Sequence, residues 1–231
     1  AEMGGIAVVV GFFAGVSILY AVDGVENVDR FNISLSAALG AAFVGMMDDL
    51  FDMRQRHKAI LPFIISLPFG VAVDPHFVLP HVPIIGSVDI NFGIWMPIIA
   101  AFAVTCAANA ANMLEGFNGL GTGLGIIISF TLIILSFIHG RLDGTYLLVP
   151  LVGALVAFLY FNKFPAVIFP GDTLMLFMGA TIAIAVILSN LHVQTGFIML
   201  PMIIEFFLKL RGWFQAENYA SDSGNGHLSY K

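Results

Sequence analysis

Apolar residues run continuously along this chain and are broken by short polar connections, rather than alternating with polar ones. Runs approaching the roughly 20 residues of a bilayer-spanning helix predict helices, whereas a transmembrane barrel would show weaker, ten-residue alternation. Eight helices are predicted, over 6–22, 34–47, 59–73, 94–113, 124–139, 147–161, 174–188 and 197–213. Several are short, which flanking polar residues or local thinning of the bilayer would accommodate. The expected fold is all-α, a multi-pass transmembrane helix bundle. The longest connection, 74–92, contains Pro75, Pro80 and Pro83 and reads as a lid or spacer.

Composition agrees with the pattern. The 231 residues are 59% hydrophobic and only 10% charged, whereas a soluble domain carries about 25% charged residues. With so many Phe and Gly, helices pack closely through small residues and face lipid with large ones. The single cysteine, Cys106, allows no intrachain disulfide and no cysteine metal site. The net charge of −6 is not a partner signal in itself, and no nucleic-acid partner is expected. Oligomeric state is left open, a homodimer included.

Threading the segments in order with the N-terminus inside places Arg54, Arg56, Lys58, Lys163, Lys209, Arg211 and Lys231 on the inner side, and only Arg30 and Arg141 outside. Lys and Arg accumulate in cytoplasmic connections, so this orientation is expected. Ala1-Glu2-Met3-Gly4-Gly5 runs straight into an apolar span without the charged region of a signal peptide. The polar end, 224–231, closes on no helix, and the chain reads as a fragment.

The same threading gathers the polar clusters at one face: Asp48-Asp49 with Arg54, Arg56, His57 and Lys58; 109–123; 162–172; and 217–231. Adjacent carboxylates near a membrane cost several kcal/mol each unless water, a cation or a metal compensates them. Hard oxygen ligands suit Mg²⁺, with Mn²⁺ as the other choice. Two solvated helix-end acids are the plain alternative. Arg54, Arg56 and Lys58 would hold phosphate oxygens or serve as an ordinary positive-inside anchor. Asn109 and Asn112 lie one turn apart and either offer an oxygen to a cation or bond a neighbouring helix. Asp172 starts an apolar run, as an N-cap or as a metal ligand. A transporter would place binding residues near the bilayer midplane, in broken helices. Glu205 and Asn190 come nearest to that, and each reads more simply as a packing or boundary residue; a non-catalytic lipid-binding subunit stays a further alternative.

Four runs carry a resemblance: Met46-Met47-Asp48-Asp49-Leu50; Arg56-His57-Lys58 with Leu61-Pro62; Asn112-Met113-Leu114-Glu115-Gly116-Phe117-Asn118-Gly119-Leu120; and Phe169-Pro170-Gly171-Asp172-Thr173. In this order and spacing they resemble the polyprenyl-phosphate N-acetylhexosamine-1-phosphate transferases over almost the whole chain. Arg56-His57-Lys58-Ala59-Ile60-Leu61-Pro62 and Ser66-Leu67-Pro68 look most like the dolichyl-phosphate branch, which uses UDP-N-acetylglucosamine. The bacterial peptidoglycan branch has Asp where Asn118 stands and a triple-His motif near its C-terminal loop, and neither is present. Glu115 is closer to the bacterial acid than to the small residue of the eukaryotic enzyme, a mixture that an archaeal dolichol-type member would reconcile.

The resemblance implies about ten helices in the full protein, of which this single domain (1–231) would lack the first and last. It implies transfer of N-acetylglucosamine-1-phosphate from UDP-N-acetylglucosamine to a dolichyl or polyprenyl phosphate, with a cytoplasmic catalytic face. Another UDP-N-acetylhexosamine with undecaprenyl phosphate is the alternative donor and acceptor pair. Asn112 and Asp172 would hold Mg²⁺, Asp48 and Asp49 would face the metal and the acceptor phosphate, and Lys58, with Arg56 beside it, would neutralise phosphate oxygens. Phe169 would stack on uracil and Asn118 would hydrogen-bond it. His227 falls in the last inner loop, where the family contacts the sugar and diphosphate, within the divergent pattern Asn225-Gly226-His227-Leu228.

Overall fold

The computed structural model describes residues 3–82, 86–114, 117–211, 221–222 and 228–229. Seven of the expected helices appear as α1 (Gly4–Val22), α2 (Val28–Phe51), α3 (Gln55–Ala72), α4 (Met96–Met113), α5 (Leu120–His139), α6 (Thr145–Asn162) and α7 (Gly171–Ser189). Six of these, all but α3, are long and apolar enough to cross a membrane. α3 falls short because its first turn carries Arg56, His57 and Lys58. The protein is a multi-pass helical membrane protein, as its large outward-facing side chains also indicate: Ile18, Phe43, Phe102, Phe130 and Phe137 are all exposed, a lining that suits lipid.

Three departures from the expected elements have local causes. α2 begins six residues before the expected 34, because the Asn27 side chain accepts from the Arg30 N–H at 3.0 Å and caps the helix. The connection 74–92 is not featureless. It folds into an antiparallel ribbon, β1 (His76–Val82) with β2 (Gly86–Asn91), in the register His76 to Asn91, Phe77 to Ile90 and Val78 to Asp89. Phe77 of that ribbon stacks on His192 with ring centroids 4.5 Å apart. The eighth segment, expected over 197–213, is instead divided into α8 (His192–Ile198) and α9 (Leu200–Arg211). Pro201 is the second residue of α9, a position where its missing backbone N–H has no intrahelical partner to lose. Trp213 lies outside the described residues.

α7 is the axis of the bundle. Every residue from Thr173 to Val186 is buried, and the helix packs on α1, α2, α4, α5 and α6. A helix apolar all round belongs in the middle of such an assembly. Phe12 of α1 meets Phe177 of α7 edge to face, centroids 4.9 Å apart. α4 crosses so closely that a Cβ on Gly179 would lie 2.4 Å from the Ala107 carbonyl oxygen. Small residues give α4 and α7 this approach: Ala100, Ala101, Ala107, Ala108 and Ala111 are buried on α4.

This contact generates a prediction. Gly179→Ala should lower thermal stability in detergent by about 1–3 kcal/mol, because the methyl meets backbone that has nowhere to go. Gly153→Ala on α6, where nothing lies within 4 Å of the added Cβ, should be neutral or stabilising by up to about 1 kcal/mol. Melting curves of the two purified variants against the parent check this; equal behaviour would contradict the close crossing.

Candidate active site at the start of the central helix

A helix start has amide N–H groups without intrahelical partners, and inside a bundle they need acceptors from elsewhere. At α7 the residue before the helix, Pro170, provides no side-chain cap. The acceptor comes from α2: Asp49 Oδ1 accepts the Asp172 N–H at 2.7 Å, and Asp49 Oδ2 accepts the Thr173 N–H at 3.0 Å and the Thr173 hydroxyl at 2.5 Å. An anionic cap here also complements the positive end of the helix dipole. The N-cap role open to Asp172 in the sequence is thus filled by Asp49, and Asp172 is left with its own side chain for other work. The two chains come this close because Gly45, one turn earlier on α2, lies against the Asp172–Thr173 backbone, where a Cβ would be 2.4 Å from the Asp172 carbonyl oxygen.

Asp48 is placed by the way α2 ends. Asp52 adopts a left-handed conformation (φ 47°) and its N–H bonds to the Asp48 carbonyl at 2.8 Å, while Met53 N–H bonds to Asp48 Oδ1 at 2.8 Å. The chain reverses and α3 begins, bringing Lys58 back one turn later. The Lys58 ammonium is in contact with both Asp48 Oδ2 and Asp172 Oδ2. Asp48 is 6% exposed and Lys58 is half-buried, so a lysine between two carboxylates balances charges that would be costly apart. Three helices, α2, α3 and α7, therefore meet in one polar knot.

The remaining expected residues distribute around it. Asn112 sits in the last turn of α4, partly buried, and its side chain makes no hydrogen bond among the described residues. The Asn109 amide nitrogen turns back on its own helix, donating to the Thr105 carbonyl at 2.9 Å. Asn118 is exposed just before α5, and Phe169 is 42% exposed just before α7. Arg56 is exposed on the first turn of α3, outside the Asp48–Lys58–Asp172 cluster. His227 and Glu115 lie outside the described residues. Sequence reasoning missed Thr173, whose hydroxyl completes the Asp49 cap, and Asn162, a buried amide at the end of α6. A hydroxyl directly after Asp172 at a helix start was the available signal for the first; for the second there was only an amide ending an apolar run.

The donor chemistry suits a divalent cation. Two carboxylate oxygens from different helices, those of Asp48 and Asp172, already converge on one positive charge; hard oxygens of this kind are what Mg²⁺ takes. Among the described residues no group of three or more His, Cys, Asp or Glu side chains is arranged to hold a metal.

The cap makes Asp49 separable from its neighbour. Asp49→Ala should cost about 1–2 kcal/mol of stability by stranding the α7 amides, and Thr173→Val, which removes one of the three bonds, should cost less. Thermal melts in detergent check the order; an Asp49→Ala protein as stable as the parent would show that the cap contributes nothing.

A family model described as glycosyl transferase family 4 matches residues 31–190. A Saccharolobus solfataricus protein, provisionally named UDP-N-acetylglucosamine–dolichyl-phosphate N-acetylglucosaminephosphotransferase, is 37% identical over 229 residues, covering 98% of this chain and 70% of that protein. The Saccharomyces cerevisiae protein bearing that name outright is 31% identical over 199 residues, 77% of this chain and 44% of its own length. A phospho-N-acetylmuramoyl-pentapeptide-transferase of Borreliella burgdorferi is 30% identical over 231 residues, 88% of this chain and 64% of its own. The matched region runs from α2 to the end of α7 and so contains the whole polar knot, and the chain belongs to glycosyl transferase family 4.

Proposed function

We propose that this protein transfers N-acetylglucosamine-1-phosphate from UDP-N-acetylglucosamine to a dolichyl or related polyprenyl phosphate, releasing UMP and leaving a lipid-linked sugar diphosphate. The observation that carries the reading is the convergence of Asp48, Lys58 and Asp172 from three helices at the start of α7, on the side of the bundle that also presents Phe169 and Asn118. The names of the archaeal and yeast relatives supply the donor and acceptor, and Asn118, in place of an Asp, favours the dolichyl branch over the peptidoglycan one. The site side is read as cytoplasmic because Arg54, Arg56, Lys58 and Lys163 border it while Arg30 and Arg141 lie at the opposite end; the membrane is that of an archaeal cell, or the endoplasmic reticulum if the source is eukaryotic.

In the proposed reaction an oxygen of the lipid phosphate attacks the phosphorus that carries the sugar. The bond from that phosphorus to the bridging oxygen breaks, and its electron pair leaves on the phosphate of UMP. A phosphate monoester is largely ionised near neutral pH, with a second pKa of about 6, so the attacking oxygen needs no strong base. Lys58 is placed to exchange its carboxylate partners for diphosphate oxygens as charge develops there. Asp172 and Asn112 would hold a Mg²⁺ ion, which supplies further positive charge to the diphosphate when bound. Asp48 aims Lys58, and Asp49 fixes Asp172 by holding its backbone. Both acids of the pair are already engaged, Asp48 by Met53 N–H and Lys58 and Asp49 by the α7 cap, which supports direct transfer over an aspartyl-phosphate intermediate.

The test is reconstitution with Mg²⁺, a short dolichyl or polyprenyl phosphate and a panel of UDP-sugars. UMP should appear together with a lipid-linked N-acetylglucosamine diphosphate, and EDTA should stop both, with Mg²⁺ or Mn²⁺ restoring them. Asp172→Ala should abolish metal-dependent turnover while the bundle remains monodisperse, and Phe169→Ala should weaken uridine-nucleotide binding by about 1–3 kcal/mol, the scale of a base stacked on an aromatic ring. Full activity with unchanged metal dependence in Asp172→Ala, or a phosphorylated aspartate trapped in a burst, would contradict this assignment.

A further inference from the structure

Asn162 is the last residue of α6, only 2% exposed, and both ends of its amide are used. Its Oδ1 accepts the hydroxyl of Thr122 at 2.9 Å, and its Nδ2 donates to the carbonyl of Ile168 at 3.0 Å. Thr122 is itself 1% exposed and lies in the first turn of α5, four residues after Asn118. Ile168 immediately precedes Phe169. One buried side chain thus bridges the element that presents Asn118 and the loop that presents Phe169.

The rest of that loop is pinned around the same point. Val167 N–H bonds to the Phe161 carbonyl at 2.9 Å, folding the loop back on the end of α6. Gly4 N–H and Gly5 N–H, at the start of α1, bond to the carbonyls of Phe169 and Pro170 at 3.0 and 2.9 Å. Gly119, between Asn118 and α5, takes φ +76°, and its Cβ position lies 3.4 Å from Lys163 Cα, so the turn after Asn118 rests directly on the residue after Asn162. The backbone on either side of Phe169 is held while its ring stays open to solvent. A buried amide has a strict geometry, because its oxygen only accepts and its nitrogen only donates, and leaving either end unpaired in this interior is costly.

We propose that Asn162, with Thr122, is a positioning residue that sets the spacing between Asn118 and Phe169 and thereby the affinity for the donor's base. It touches no substrate and acts through the two residues that do. The proposal deepens the reading of Asn118 and Phe169 as the uracil site and rests on it.

The experiment uses the purified, full chain with UMP as the probe in isothermal titration, and steady-state kinetics with donor and lipid phosphate varied separately. Asn162→Leu, close in shape but with neither hydrogen bond, should raise the UMP Kd about tenfold, the scale of a small displacement of a binding group. The KM for UDP-sugar should rise with it, while the KM for lipid phosphate should not change. Thr122→Val should give a smaller rise that Thr122→Ser reverses, and this pair carries the test if Asn162→Leu does not fold. Asn162→Leu combined with Phe169→Ala should weaken UMP binding by less than the product of the two single effects, since part of the Asn162 effect runs through Phe169. Multiplying effects, or equal rises in both KM values, would overturn the proposal. Loss of UMP affinity in Phe169→Ala and Asn118→Ala without loss in Asn162→Leu or Thr122→Val would overturn it alone; unchanged affinity in Phe169→Ala and Asn118→Ala would overturn the uracil-site reading, and this proposal with it.

Discussion

The first turn of α7 must find hydrogen-bond acceptors inside a bundle, and everything polar in this protein's site is arranged around how it does so. α7 is buried from Thr173 to Val186, while the Asp172 side chain at its start stays 24% exposed. Asp49, reaching across from α2, satisfies the amides of Asp172 and Thr173. Once α2 is committed to that task its end is fixed in place, and the neighbouring Asp48 is fixed with it. The reversal through Asp52 and Met53 then returns α3 so that Lys58 comes between Asp48 and Asp172. One backbone requirement thereby positions two acids and a lysine drawn from three helices.

This view divides labour between two adjacent carboxylates that look equivalent in the sequence. Asp48 holds a lysine; Asp49 holds a helix. Capping by an acid from another element leaves the Asp172 carboxylate to pair with a cation, here Lys58. The same economy recurs in the loop before α7, where the carbonyls around Phe169 are occupied by α1 and by Asn162 while the ring itself remains open.

Much of this was legible in the order of residues. Long apolar runs predicted the helices because each must satisfy its own backbone in lipid, and seven of them stand where those runs put them, with ends shifted by up to six residues. The one-sided clustering of Asp48, Asp49, Lys58 and Asp172 was also visible, since the threading of antiparallel helices puts alternate connections on the same side. What was not legible depends on contacts distant in sequence. Nothing local distinguishes Asp49 from Asp48, because the difference lies in Thr173, 124 residues away. The ribbon at 76–91 was hidden by its prolines, and the division of the last segment by the apolar residues on both sides of Pro201. Asn162 looked like an amide at a helix end until its two partners, on α5 and in the 163–170 loop, were placed beside it.

The central claim is that a nucleotide diphosphate is gripped at the start of α7. It is tested most directly by determining the structure of the protein with UDP-N-acetylglucosamine and Mn²⁺ bound. The account predicts the diphosphate within hydrogen-bond reach of Lys58, the ion against Asp172 and Asn112, and the uracil on the ring of Phe169. Ligand density at the opposite end of the bundle, near Arg30 and Arg141, or an ion that contacts neither Asp172 nor Asn112, would contradict it.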